Sequence, residues 1–149
     1  MNTTMLNDKG SALSFDNYED IVVPKNCIGF SDRAYEDLHA TANERKSISV
    51  ETGNPKFKSV NNCLIETETG KVVLGCKNSV IPDDGSIKII GAYAFSGIGD
   101  MESENRDIFT HIAIPDSIEI IEHHAFADSG IADIELPQGL KEIGSWHLC

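Results

Sequence analysis

No apolar run in this 149-residue chain approaches the roughly 20 residues a helix needs to cross a bilayer. The opening MNTTMLNDKGSALSF lacks the basic segment and apolar stretch of a secretory leader, so the sequence suggests either an intracellular chain or a piece of a longer exported one. Basic residues are scarce, 12 against 24 acidic, which gives a formal net charge of −12 at pH 7. A surface that negative repels phosphate backbones and anionic headgroups, so neither nucleic acid nor membrane insertion is expected. The four cysteines (Cys27, Cys63, Cys76 and Cys149) show no CxxC spacing and leave the redox compartment open. G-x-S-x-G, Walker, GxGxxG and H-E-x-x-H motifs are all missing. No catalytic residue, metal ligand or cofactor is therefore assigned, and paired carboxylates carry little information among 24 acids. What remains is a chain with 40% hydrophobic residues, long enough for one domain around one continuous core.

A repeat organises that core. IPDDGSIKIIGAYAF (81–95), IPDSIEIIEHHAF (114–126) and LPQGLKEIGSWHL (136–148) each begin with an aliphatic-Pro pair. Each continues with apolar residues three apart (Ile87/Ile90, Ile118/Ile121, Leu140/Ile143) and a large apolar residue five further on (Phe95, Phe126, Leu148). VPKNCIGFSDRAY (23–35) is a weaker copy, with Cys27, Phe30 and Ala34-Tyr35 in the matching places. The residues before each Pro alternate as a half-buried strand does: Ile21-Val22-Val23, Ile112-Ala113-Ile114 and Ile134-Glu135-Leu136. ISV at 48–50 and SVI at 79–81 follow the same rule. Taking the last inward residue as marker, rungs fall at Val23, Val50, Ile81, Ile114 and Leu136, a 22-residue unit carrying insertions of 5, 9, 11 and 0 residues.

A unit this short cannot bury its own apolar side and must stack on a copy of itself. The expected stack is a solenoid of about 4–5 coils around a single core, with an aromatic ladder of Tyr35, Phe95 and Phe126. The outward column of the strands, Val22, Ser49, Val80, Ala113 and Glu135, is the candidate ligand-facing surface, because small or apolar residues permit close approach.

The pattern aliphatic-Pro-x-x-aliphatic-x-x-Ile-x-x-x-Ala-Phe resembles the BspA-like (Treponema pallidum-type) leucine-rich repeat over residues 20–149. NPKFKSVNNCLIETETGKVVLGCKNSVIP (54–82) also resembles a hairpin-bearing segment of bacterial members. The chain departs from the pattern with Glu122 in place of Gly, the insert GDMESENRD (99–107) and a truncated last repeat ending SWHLC. The resemblance implies a right-handed, β-rich leucine-rich-repeat solenoid with short helical turns on its convex side. It further implies a cell-surface or secreted, often bacterial, non-catalytic module for adhesion and protein recognition, with a protein or cell-surface ligand as partner. The alternative is a structural spacer or fragment of a longer surface protein.

Outside the repeat, residues 1–18 read as a disordered tail or weak N-terminal cap, with the repeat domain at 19–149. SDRAYEDLHATANERK (31–46) predicts a short helix with Ser31 or Asp32 as N-cap. An inserted hairpin is expected at about 57–78. A two-residue loop at Thr69-Gly70 would pair Cys63 with Cys76, whereas a three-residue loop Glu68-Thr69-Gly70 puts them on opposite faces. Reduced thiols are the favoured state.

The pair His123-His124 occupies the turn places of Ala92-Tyr93 and Ser145-Trp146. It reads as repeat structure, not a metal site, since adjacent turn residues rarely converge on one ion. The acidic insert lacks a calcium-loop spacing and reads as a solvated loop. Trp146, the sole Trp, is expected to pack near the C-terminal edge. Leu140, Ile143, Trp146 and Leu148 have no following coil within the sequence, so the uncapped C-terminal repeat is expected to self-associate, swap or fray.

Overall fold

The aliphatic-Pro-x-x-aliphatic pattern folds as a hydrogen-bonded turn. Proline fixes its own φ, and its carbonyl accepts from the N–H three residues on. The bonds are Pro115 to Ile118 (3.1 Å), Pro137 to Leu140 (3.2 Å) and, in the weak copy, Pro24 to Cys27 (3.0 Å). Cys27, Ile87 and Ile118 are fully buried at this place.

The computed structural model describes residues 3–5, 19–99, 111–131 and 134–145, with 3–5, 32, 33, 35 and 37 described by backbone alone. Its elements are β1 (Thr3–Met5), β2 (Asp20–Val23), α1 (Asp32–Ala40), a 3-10 turn (Ala42–Glu44), β3 (Ser47–Val50), β4 (Phe57–Val60), β5 (Cys63–Glu66), β6 (Lys71–Leu74), β7 (Ile89–Ile90), β8 (Ile120–Ile121) and β9 (Glu142–Ile143). They form a parallel three-stranded sheet, β1-β2-β3, and a six-stranded sheet in the order β4-β5-β6-β7-β8-β9. The Tyr35 side chain, the insert beyond Gly99, and Trp146, Leu148 and Cys149 lie outside the described residues.

α1 starts as the sequence predicts: the Ala34 N–H donates to Ser31 Oγ at 3.2 Å, an N-cap bond. Ala34 and Leu38, four apart on one face, are buried.

The insert is a three-stranded antiparallel meander, β4-β5-β6. Asn61-Asn62 makes its first turn, both residues left-handed (φ 50° and 61°), as a two-residue hairpin loop requires. Its second loop has four residues, Thr67 to Gly70, between the paired Glu66 and Lys71, and so matches neither expected register. Gly70 closes it at φ 67°, and a Cβ there would lie 2.4 Å from the Ser86 carbonyl oxygen. A bulge between Leu64 and Ile65 shifts the register further.

The return strand of the meander becomes a rung of the solenoid. β6 pairs parallel with β7, β7 with β8 and β8 with β9, which aligns Val72, Ile90, Ile121 and Ile143. The parallel ladder of the C-terminal copies thus runs through the second apolar position of the repeat, not through the residues before proline. Among the pre-proline segments only 20–23, with its partner 47–50, is ladder-paired strand. The in-out alternation still holds at Ser79-Val80-Ile81 and Ile112-Ala113-Ile114, but the rung expected at Leu136 is 47% exposed.

The expected single core is divided. One cluster gathers Cys63, Ile65, Val72, Ile87, Ile90, Phe95, Ile118, Ile121 and Phe126. The other gathers Ile21, Val23, Cys27, Leu38, Ile48, Phe57, Leu64, Val73, Leu74 and Cys76. The meander separates them because its strands send alternate side chains to opposite faces, and both faces are covered. Where the two sheets meet, side chains replace the ladder: Asn62 Oδ1 accepts from the Ile48 N–H at 3.3 Å, and Ser59 Oγ donates to the Ile48 carbonyl.

A candidate recognition cleft

Three elements that the sequence keeps apart meet around a cleft of about 690 Å³: the 29–39 segment with α1, the meander, and the turns at 91–93 and 122. That volume lies within the range of small-molecule and peptide-side-chain sites.

One wall is aromatic. Phe30 and Phe57 have ring centroids 5.5 Å apart, with planes tilted by 54°. Phe57 is buried because β4 turns it toward the N-terminal cluster, and Lys56 Nζ sits 5.7 Å from its ring centroid. Tyr93 also lines the cleft, 41% exposed and held at φ 60° in the repeat turn.

The remaining lining is charged. Glu122 stands where the neighbouring copies have Gly91 and Gly144, and its side chain reaches back over the preceding coil. Its Oε1 lies 2.9 Å from Lys71 Nζ, and its Oε2 accepts from the Ala92 N–H at 2.9 Å. Burial works against the charge on Glu122. The hydrogen bonds from Lys71 and Ala92 and the Lys71 and His123 charges outweigh it, so the carboxyl is held below its ordinary range. Glu66 accepts from Thr69 Oγ1 at 3.0 Å and lies 3.9 Å from Lys56 Nζ. His39 Nδ1 is 2.7 Å from Ser96 Oγ, and its Nε2 is 4.0 Å from Asp128. Glu36, exposed on α1, has no partner among the described residues.

The histidine pair lies beside this cleft as repeat structure. His124 repeats the left-handed turn of Tyr93 (φ 54°) and stacks on it, centroids 5.2 Å apart and planes 27° from parallel. His123 is exposed and meets Tyr93 edge-on at 5.6 Å. Among the described residues no group of three or more His, Cys, Asp or Glu is placed to hold a metal ion, and no helix is long and apolar enough to cross a membrane.

Cys63 and Cys76 are free and buried, and Cys27 is buried with them. Cys63 and Cys76 belong to different core clusters. Burial, moderated by a Ser79 hydrogen bond and reinforced by Cys76, pushes the Cys63 thiol up to about 12. It is a core residue and not a nucleophile at neutral pH.

The outward column is distributed unevenly. Val22 and Ser49 are directly paired across β2 and β3. Val80, Ala113 and Glu135 are exposed but lie outside any strand. The sequence marked Phe30, Ala92 and Tyr93 only as repeat positions and Glu122 only as a departure from the Gly of its neighbours, and nothing in it brought them together around a cleft.

Residues 98–149 match the family model described as BspA type Leucine rich repeat region (6 copies). Over those residues, about a third of the chain, it is similar to that family. Phe126 and the 114–126 and 136–143 turns all lie within the matched residues. No curated protein matches the chain. Among solved structures, a leucine-rich repeat protein from Eubacterium ventriosum is similar at 20% identity and a TM-score of 0.63, covering 85% of this chain and 32% of its own. The pneumococcal vaccine antigen PcpA is similar at 19% identity and a TM-score of 0.49, covering 85% of this chain and 35% of its own. The chain therefore spans about a third of the length of either bacterial protein. The likeness to the Eubacterium ventriosum leucine-rich repeat protein is one of fold.

Proposed function

We propose that this chain is a recognition unit: a non-catalytic, adhesion-type repeat module that binds a protein or surface ligand and acts at a cell surface or outside the cell. The observation that carries the reading is the cleft. Phe30, Phe57 and Tyr93 line it where an inserted meander and a helix meet the repeat turns, and binding surfaces of repeat proteins are built from such insertions. The chemistry supports binding over turnover. Glu122 is held ionised by Lys71, and Cys63 is held protonated by burial, so neither is poised to exchange a proton near neutral pH. Val22, Ser49, Val80, Ala113 and Glu135 form a second proposed contact surface, to which the 61% exposed Val80 contributes apolar area.

The test is biolayer interferometry against a panel of purified host and bacterial surface proteins. Saturable binding, lost in a folded Tyr93→Ala or Val80→Glu variant, is expected. A flat response across the panel would contradict the reading and leave the chain as a spacer.

A further inference from the structure

We propose that the cleft takes a positively charged side chain, an arginine carried on a short extended segment of a partner polypeptide. The inference rests on the recognition reading above and names the chemistry of its ligand.

The charge distribution of the lining decides the sign. Lys71 is spent on Glu122 at 2.9 Å, and Lys56 lies over the Phe57 ring and 3.9 Å from Glu66. His39 is engaged by Ser96 and faces Asp128. Every basic group in the lining thus already has a counterpart, while Glu36 has none among the described residues. An anion entering the cleft would have to break one of these pairs. A cation breaks nothing and gains Glu36.

The aromatic lining points the same way. Ring faces attract cations through their quadrupole, and a guanidinium stacks on them better than an ammonium does. The cleft already demonstrates this preference with its own Lys56 over Phe57. Phe30 and Tyr93 offer further ring surface, Tyr93 at 41% exposure. At about 690 Å³ the space exceeds what one side chain fills, so the arginine arrives with flanking backbone. The formal charge of −12 steers a basic segment toward the chain from a distance and repels an acidic one.

The experiment uses the full chain and four probes: an acetylated, amidated Gly-Ser-Arg-Ser-Gly peptide, the same peptide with citrulline or with glutamate in place of arginine, and spermidine. Binding is followed by NMR shift perturbation and calorimetry. The arginine peptide should bind saturably, with shifts at Glu36, Phe30 and Tyr93 and an affinity that falls as salt is raised. Citrulline keeps the shape but not the charge and should bind at least about tenfold more weakly. Glu36→Gln should cost a similar factor while leaving the fold unchanged, since Glu36 is exposed. Equal binding of the arginine and citrulline peptides, or tighter binding of the glutamate peptide, overturns the cation and leaves the recognition reading standing. Tighter binding of spermidine than of the peptide overturns the polypeptide. If no probe shifts cleft resonances at millimolar concentration while the surface-protein panel gives saturable binding elsewhere, this inference fails alone; if the panel is also flat, both fail.

Discussion

Phe95 lies on Phe126 with ring centroids 5.5 Å apart and planes 12° from parallel, although the two belong to repeat copies separated by an insert. The Phe95 N–H donates to the Ala125 carbonyl at 2.8 Å, so backbone and ring are stacked together. Neither ring is more than 2% exposed. Truncating either to Ala should cost about 3–5 kcal/mol. The double mutant should be less destabilised than the sum by about 0.5–1.5 kcal/mol, read from urea unfolding of all four proteins. Strict additivity would mean that the rings occupy independent cores.

Gly75 is the neighbour that the ring stack cannot give up. A Cβ there would fall 2.1 Å from the Phe95 ring, and the Gly75 N–H bonds the Ala94 carbonyl at 2.8 Å. Gly75→Ala should destabilise by about 1–3 kcal/mol through overpacking. Combining it with Phe95→Leu should recover part of that loss, and a penalty unchanged in the Leu background would contradict the contact.

The Glu122–Lys71 pair sets a pH dependence. A carboxyl whose folded pKa lies below its ordinary 4.5 contributes stability above that value and loses it as pH falls through the lowered pKa. Urea melts between about pH 3 and pH 7 should show Glu122→Gln less stable than the parent at neutral pH, with the two converging in acid. A constant gap across the range would show that the pair does not drive the difference.

Cys63 should be silent to thiol reagents in the native state, because its pKa is pushed up to about 12 and its sulfur is buried. Mass-mapped maleimide labelling should modify Cys27, Cys63 and Cys76 only at the rate of unfolding. Rapid native labelling of Cys63 would contradict the burial.

The repeat was legible because its chemistry is local. Proline turns, Ile pairs and the Ala-Phe step recur at fixed offsets, and they were enough to place Phe95 over Phe126, while capping residue types at Ser31 and Asp32 marked the start of α1. Strand position was misplaced because alternation before a proline looks identical whether or not a ladder forms. Burial keeps the pattern, and only hydrogen bonding distinguishes the cases, as at Ile112-Ala113-Ile114. The division of the core was hidden for a related reason. Leu64 and Ile65 are both apolar, so the sequence says that both are buried but not that they face different clusters. The Asn61-Asn62 turn carried a signal in its residue type, since asparagine tolerates left-handed φ. The cleft had no local signature. Phe30, Phe57 and Tyr93 lie on segments whose approach is set by how the meander docks, and Glu122 stood out only as a break in the Gly position of its neighbours.

Native-state hydrogen exchange on Phe126→Ala tests most directly whether coils share one interior across their boundaries. The Gly91 N–H bonds the Val72 carbonyl at 2.8 Å and the Glu122 N–H bonds the Ile90 carbonyl at 2.9 Å, so each amide reports on a different coil junction. Protection at Gly91 should fall together with protection at Glu122, although Gly91 belongs to the other copy. Protection lost at Glu122 and retained in full at Gly91 would contradict the account.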